Sequence, residues 1–157
     1  MTLFRENSDI KENIKICVLA RQHLPTVADI EEECFCEPWS QKSLELLLTE
    51  NNFGVVALCD KRVVGYGGMT TVLDEGAVTN IAVSRDFRRM GIGRRIVERM
   101  LNEAKRRGIY QVFLEVRESN APAISLYTSL GFEACGIRKG FYKNPSENAI
   151  QMKKELK

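Results

Sequence analysis

The sequence is short of most things that would announce a function on sight. It has one histidine, one tryptophan and four prolines in 157 residues. A Ser-His-Asp triad would have to run through His23, and no Gly-x-Ser-x-Gly elbow accompanies it. The five cysteines, at positions 17, 34, 36, 59 and 135, are odd in number and scattered, which argues against a disulfide framework. Cys34-x-Cys36 is not a Cys-x-x-Cys pair, and no second Cys/His cluster completes a zinc site, so no metal is expected. No apolar run approaches the roughly 18 residues of a membrane span. Residues 1–13 form a polar arm without the apolar segment of an export signal. The expectation is a cytoplasmic protein without membrane association. The formal net charge is only +2. Nucleic-acid binders carry a larger or striped basic excess, so no direct nucleic-acid partner is expected. The sequence leaves the oligomeric state open, with a monomer the simpler expectation.

What remains is one globular domain, residues 14–157, with 44% hydrophobic residues to build a core. Ile14 to Leu19 alternates as a strand. Pro25 to Cys36 carries Val27, Ile30, Cys34 and Phe35 at helical spacing, and a second helix follows from Ser40, its N-cap, to Leu48. Strands over 53–59, 62–73 and 77–83 are separated by short turns, which implies an antiparallel meander. From Gly91 to Arg107 the period becomes helical, and Tyr110 to Val116 is again a strand. A short helix over 120–130 has Pro122 in its first turn and stops at Gly131; closing strands follow over 132–137 and 149–153. The order β-α-α-β-β-β-α-β-α-β-β predicts a single α/β (α+β) domain with a mixed, mostly antiparallel sheet flanked by helices. The unit 77–83, 91–107, 110–116 is a crossover, so its two strands should run parallel.

The basic excess is local. Residues 85–95, RDFRRMGIGRR, hold five arginines and two glycines between the strand and helix of that crossover. Backbone N–H groups at a helix N-terminus, close approach past glycine and flanking guanidinium groups together suit a phosphate or pyrophosphate. A Walker A loop is absent, and Gly91-x-Gly93 is followed by Ile96 where a dinucleotide fingerprint needs its third glycine.

Arg88-Arg-Met-Gly91-Ile-Gly93 resembles the Gln/Arg-x-x-Gly-x-Gly/Ala motif of the GCN-five-related N-acetyltransferases (GNAT family). Asn80-Ile-Ala-Val83 and the run SNAPAISLYTSLGF fit the same family in the same order, and the resemblance spans roughly residues 14–154. Further stretches, Glu37-Pro-Trp-Ser40, Asp74-Glu75 and Leu114-Glu-Val-Arg117, resemble the subgroup that acetylates the N-terminal alanine of a small-subunit ribosomal protein. Near the C-terminus the chain departs from that subgroup, with Gly140-Phe141-Tyr142 for Asn-Tyr-Tyr and Glu147-Asn148-Ala149 for Glu-Asp-Ala. The resemblance implies acetyl-CoA as co-substrate. It implies that Arg88, Arg89, Met90, Gly91, Ile92, Gly93 and Arg94 form the pyrophosphate turn. It implies that the backbone of Ile81, Ala82 and Val83 pairs with the pantetheine arm where this strand splays from its parallel neighbour. Asn120 would bond the same arm, and the acceptor would be the N-terminus of a protein, a ribosomal one.

Two residues suit the transfer. Glu115 stands among Val112, Phe113, Leu114 and Val116, on the face opposite Leu114 and Val116; such a carboxylate is either a general base or a surface acid paired with Arg117. Tyr127 follows Asn120 by about two helical turns, and a phenol with pKa near 10 holds a proton it can donate to a departing thiolate; the alternative is a core tyrosine. The resemblance favours the catalytic reading of both, by direct transfer between two bound substrates. Trp39 and Tyr142 are the candidates on the acceptor side, although a lone Trp beside Pro38 is more often a packing anchor than a ligand contact. Two other functions stay open: acetylation of a small amine, for which Glu31-Glu-Glu33 would be either acidic cleft lining or a solvated helix face, and a non-catalytic CoA-binding module.

Overall fold

A computed structural model describes residues 13–157; the polar arm, apart from Asn13, lies outside the described residues. Seven strands form one sheet in the order β1-β2-β3-β4-β5-β7-β6. They are β1 (Ile14–Val18), β2 (Phe53–Cys59), β3 (Arg62–Val72), β4 (Glu75–Val83), β5 (Gln111–Arg117), β6 (Glu133–Lys143) and β7 (Ser146–Glu155). The helices are α1 (Leu24–Cys34), α2 (Gln41–Leu44), α3 (Ile92–Arg106) and α4 (Ala121–Ser129), in the predicted order. β2 to β4 form the antiparallel meander, β1 adds antiparallel to β2, and β4 and β5 are parallel across the α3 crossover. Among the described residues no helix is long and apolar enough to cross a membrane.

Two elements differ from the sequence reading. The second helix is not continuous: Ser40 caps it, its hydroxyl accepting from the Ser43 N–H at 3.0 Å, but after Leu44 it tightens into a 3-10 turn over Glu45–Leu48. The last two strands are longer than the predicted 132–137 and 149–153, and form a hairpin turning at the cis Asn144–Pro145 bond. β6 is the sheet edge and is exposed along nearly all its length, so it carries no burial alternation to read; left-handed Gly140 and a register shift between Arg138 and Tyr142 blur it further.

Each face of the sheet buries its own core. On one, the α3 stripe Ile92, Ile96, Val97, Met100 and Ala104 packs over Val55, Val64, Val112, Leu114 and Val116, with α4 beside it. Gly67 in β3 permits this contact: a Cβ there would run into Met100 and Ile96. On the other, Leu24, Val27 and Ile30 of α1, with Leu44 and Leu47, cover Val56, Tyr66 and Ala82.

The feature that positions the site is a short ladder. β4 pairs with β5 at three positions only, Glu75↔Gln111, Gly76↔Val112 and Ala77↔Phe113. Beyond them the strands part, while β4 stays bonded to β3 as far as Gly65↔Val83. A register shift between Gly67 and Met69 bends β4 at the same level. The C-terminal half of β4 therefore has no strand on its β5 side.

Candidate active site

A cleft of about 550 Å³ opens where β4 and β5 part. It collects Glu115, Tyr127, Asn120, Ile81, Trp39 and Tyr142 from four elements and two loops. Leu114 and Val116 point into the α3 core, so Glu115 projects to the α1 face. Tyr127 packs against the α3 core, edge-on to Phe132 with ring centroids 5.8 Å apart. The acid and base candidates thus reach the cleft from opposite faces of the sheet. Burial, and then the nearby Tyr142 phenol, push the Tyr127 hydroxyl up to about 12, so it keeps its proton throughout the neutral range.

Glu115 does not pair with Arg117. Its Oε1 lies 3.4 Å from Nε of Arg138 on β6, whose side chain is 54% exposed, so this is a solvent-screened pair. Arg117 serves the hairpin instead. It meets Glu147 at 3.1 Å, donates to the carbonyls of Pro145 and Asn144, and sits 4.3 Å over the Tyr142 ring. Tyr142 is thereby fixed as one wall of the cleft. Across the mouth, Asn144 Nδ2 donates to Glu37 Oε1 at 3.2 Å, linking the hairpin to the loop that carries Trp39. Asn120 caps α4, accepting from the Ala123 N–H at 3.2 Å, and still lines the cleft.

The basic turn lies along the same strand. Arg89 and Gly91 are both left-handed, with φ of 64° and 76°, and Gly91 is the N-cap of α3. A Cβ on Gly91 would meet nothing within 4 Å, and one on Gly93 would come no nearer than 3.9 Å to Leu126. The space above the first turn of α3 is therefore open, and the leading N–H groups of a helix have no partner within it. That arrangement fits a pyrophosphate. The arginines are unequal. Arg88 turns inward, donating to the Val83 carbonyl at 3.1 Å and to Cys34 Sγ at 3.3 Å. Arg94 donates to Ser129 Oγ on α4. Arg89 is exposed and has no side-chain partner among the described residues. Arg95 fastens α3 to β1 through the Ile14 carbonyl. On β4, Ile81 and Val83 pack toward α3 while Ala82 is buried toward α1. His23 stays outside the cleft; its Nδ1 accepts from the Ala20 N–H. Cys36 is exposed and lines the cleft. Among the described residues no cluster of side chains could hold a metal ion.

Sequence reasoning missed one residue. Of the three consecutive glutamates in α1, Glu31 is neither solvated nor a wall of the cleft: it is fully buried. Its Oε1 accepts from the Trp39 N–H at 2.8 Å, and both its oxygens accept from Asn80 Nδ2, at 3.0 and 3.1 Å. Burial pushes its carboxyl up, opposed by those hydrogen bonds. The signal was present: Glu31 continues the stripe Val27, Ile30, Cys34, a core position held by an acid.

Residues 24–132 match the model of the acetyltransferase (GNAT) family. The [ribosomal protein bS18]-alanine N-acetyltransferase of Salmonella typhimurium strain LT2 is 38% identical over 139 residues, 87% of this chain and 94% of that protein. The corresponding protein of Escherichia coli K12 is 36% identical over the same shares. The crystal structure of the ribosomal-protein-S18-alanine N-acetyltransferase from Escherichia coli matches with a TM-score of 0.85 and 34% identity, covering 91% of this chain and 94% of that one.

Proposed function

Because the chain belongs to the acetyltransferase (GNAT) family, and is an N-acetyltransferase that uses acetyl-CoA, we propose that its acceptor is the α-amino group of an N-terminal alanine on a ribosomal protein. The observation that carries this reading is the cleft itself, open to the α1 face beside Glu115 and walled by Trp39 and Tyr142. The relatives named for this activity cover almost the whole chain. On this reading residues 14–157 are the catalytic domain and the enzyme works in the cytoplasm.

Acetyl-CoA supplies an acetyl group activated as a thioester. The N–H groups of Ile92, Gly93 and Arg94, with Met90 and the exposed Arg89, hold its pyrophosphate end; Arg88 shapes the turn from within. The free side of β4 from Ile81 through Ala82 to Val83, and Asn120 opposite, hold the arm. Val83 contributes less than its neighbours, since its carbonyl already accepts from Arg88. An α-ammonium, with pKa of about 7.7–8.0, must shed a proton before it attacks. Glu115 takes that proton, directly or through a water, on the α1 face. Tyr127 delivers its own proton to the departing sulfur on the α3 face.

The test follows free CoA when the protein is incubated with acetyl-CoA and either a peptide beginning with alanine or a panel of polyamines, amino acids and aminoglycosides. Turnover confined to the peptide supports the proposal. Turnover confined to small amines replaces it with the small-molecule reading, and CoA binding without turnover replaces both with the binding module.

A further inference from the structure

The buried acid of α1 and the amide of Asn80 form a contact that the reaction described so far does not use. Asn80 stands on β4 at the level where β5 has already parted from it, and it lines the cleft. Its side chain faces α1, the side to which Glu115 also projects. An ionised carboxylate accepts hydrogen bonds and donates none. In its ionised form, with Oε1 also taken by the Trp39 N–H, Glu31 can meet only the Asn80 NH2 group, and both contacts use Nδ2. The carbonyl oxygen, Oδ1, is left on the other side of the amide and receives no hydrogen bond from any described residue. The buried Tyr66 hydroxyl, which makes no hydrogen bond of its own, packs against the same carboxylate and the same amide. A neutral partner that could both give and take hydrogen bonds would let Asn80 turn over.

We propose that Glu31 is a positioning residue: it locks the Asn80 amide so that Oδ1 faces the acceptor side of the cleft, where it accepts an N–H from the incoming amine beside Glu115. The substrate class rests on the protein N-terminus reading above; the orientation of Asn80 does not. The Trp39 N–H bond to the same carboxylate places the loop of the cleft mouth in one unit with this contact. Glu31 thus sets two acceptor-side groups together and touches neither substrate.

The experiment combines Glu31→Gln, Asn80→Ala and the double variant with a readout that needs no substrate. In the ligand-free protein, the Asn80 side-chain NH2 resonances should be slowed in solvent exchange, and Glu31→Gln should abolish that protection. With an alanine-initial peptide, Asn80→Ala should raise the peptide KM about tenfold, the worth of one good hydrogen bond to a charged group. The acetyl-CoA KM should stay within twofold. Glu31→Gln should raise the peptide KM several-fold, and the double variant should be no worse than Asn80→Ala alone. Additive effects, equal rises in both KM values, or a Glu31→Gln variant that only melts earlier would overturn the proposal. Unprotected Asn80 NH2 resonances in the wild type would do so as well. Peptide inertness of the wild type with the NH2 group still protected would sink the acceptor reading and leave the locked amide standing.

Discussion

A phenol held near 12 keeps its proton at rest and can meet the charge that develops on a departing sulfur. Tyr127 owes that position to the hydrophobic edge of the α3 core and to Tyr142 across the cleft. Because the shift is upward, the protonated form persists well beyond neutral pH, and a loss of rate below about pH 10 has another origin. Tyr127→Phe should lower kcat by about 10²-fold or more, with the acetyl-CoA KM little changed. Steady-state kinetics with the peptide check this, and a fall in kcat under threefold would remove the residue as the acid. Glu115→Gln should lower kcat/KM by a similar factor and move the pH optimum upward, since the amine must then lose its proton to solvent. An unchanged pH–rate profile would remove Glu115 as the base. Strand alternation and a two-turn helical spacing give the faces on which both side chains stand, and both line the cleft, while the family resemblance alone assigned their roles. Glu31 was passed over because three consecutive acids read as a wetted face, although its place on the stripe of Val27, Ile30 and Cys34 marks it, and the contact with Asn80 and Trp39 shows it turned inward.

At the scale of elements, the strand, glycine turn and α3 could be read from the sequence because each has its own period or punctuation. The two closing strands could be read too, but their inner ends and the turn between them could not. An edge strand is wetted on both sides, and its partner carries the polar run Ser146-Glu-Asn148, so neither shows a hydrophobic rhythm at the turn. The turn before α3 offers a sharp test. Gly91→Ala meets no protein atom within 4 Å but must hold φ near 76°. The backbone cost is about 1 kcal/mol. Stability should therefore drop slightly, while the acetyl-CoA KM rises by at least tenfold as the new methyl enters the space above the helix. Thermal melting and the two KM values separate these effects; a lower melting temperature with unchanged acetyl-CoA KM would show that no phosphate sits there.

For the whole molecule, the far end of α3 matters more to folding than to chemistry. Glu103 is buried at 5% exposure and accepts from Arg106 and Arg107, which hold its carboxyl down at about 2. A carboxyl depressed in the folded state stabilises the fold above its unfolded pKa, about 4.3, and loses that contribution as pH falls toward 2. Glu103→Gln should cost about 1–2 kcal/mol at neutral pH, discounted because Arg106 is largely exposed. The gap to wild type should close between about pH 5 and pH 2, which melting curves across that range would show. A gap independent of pH would assign the cost to packing instead. The element order and the parallel crossover were legible in full, because they depend on local period and on the handedness of one connection. The parting of β4 from β5 was expected from family resemblance alone, since the side chains of Ile81, Ala82 and Val83 report only a buried strand.

That parting gives the sheet a doorway with two thresholds. On the proposed assignment of Tyr127 and Glu115, the sulfur end of one substrate lies toward α3 and α4, and the amine of the other toward α1 and the hairpin. After transfer, each product backs out the way its parent came in, and neither stands in the other's path. Release should then have no fixed order. CoA should compete only with acetyl-CoA and the acetylated peptide only with the free peptide, a pattern that product-inhibition kinetics would read directly; a compulsory order would mean that one threshold closes behind its guest.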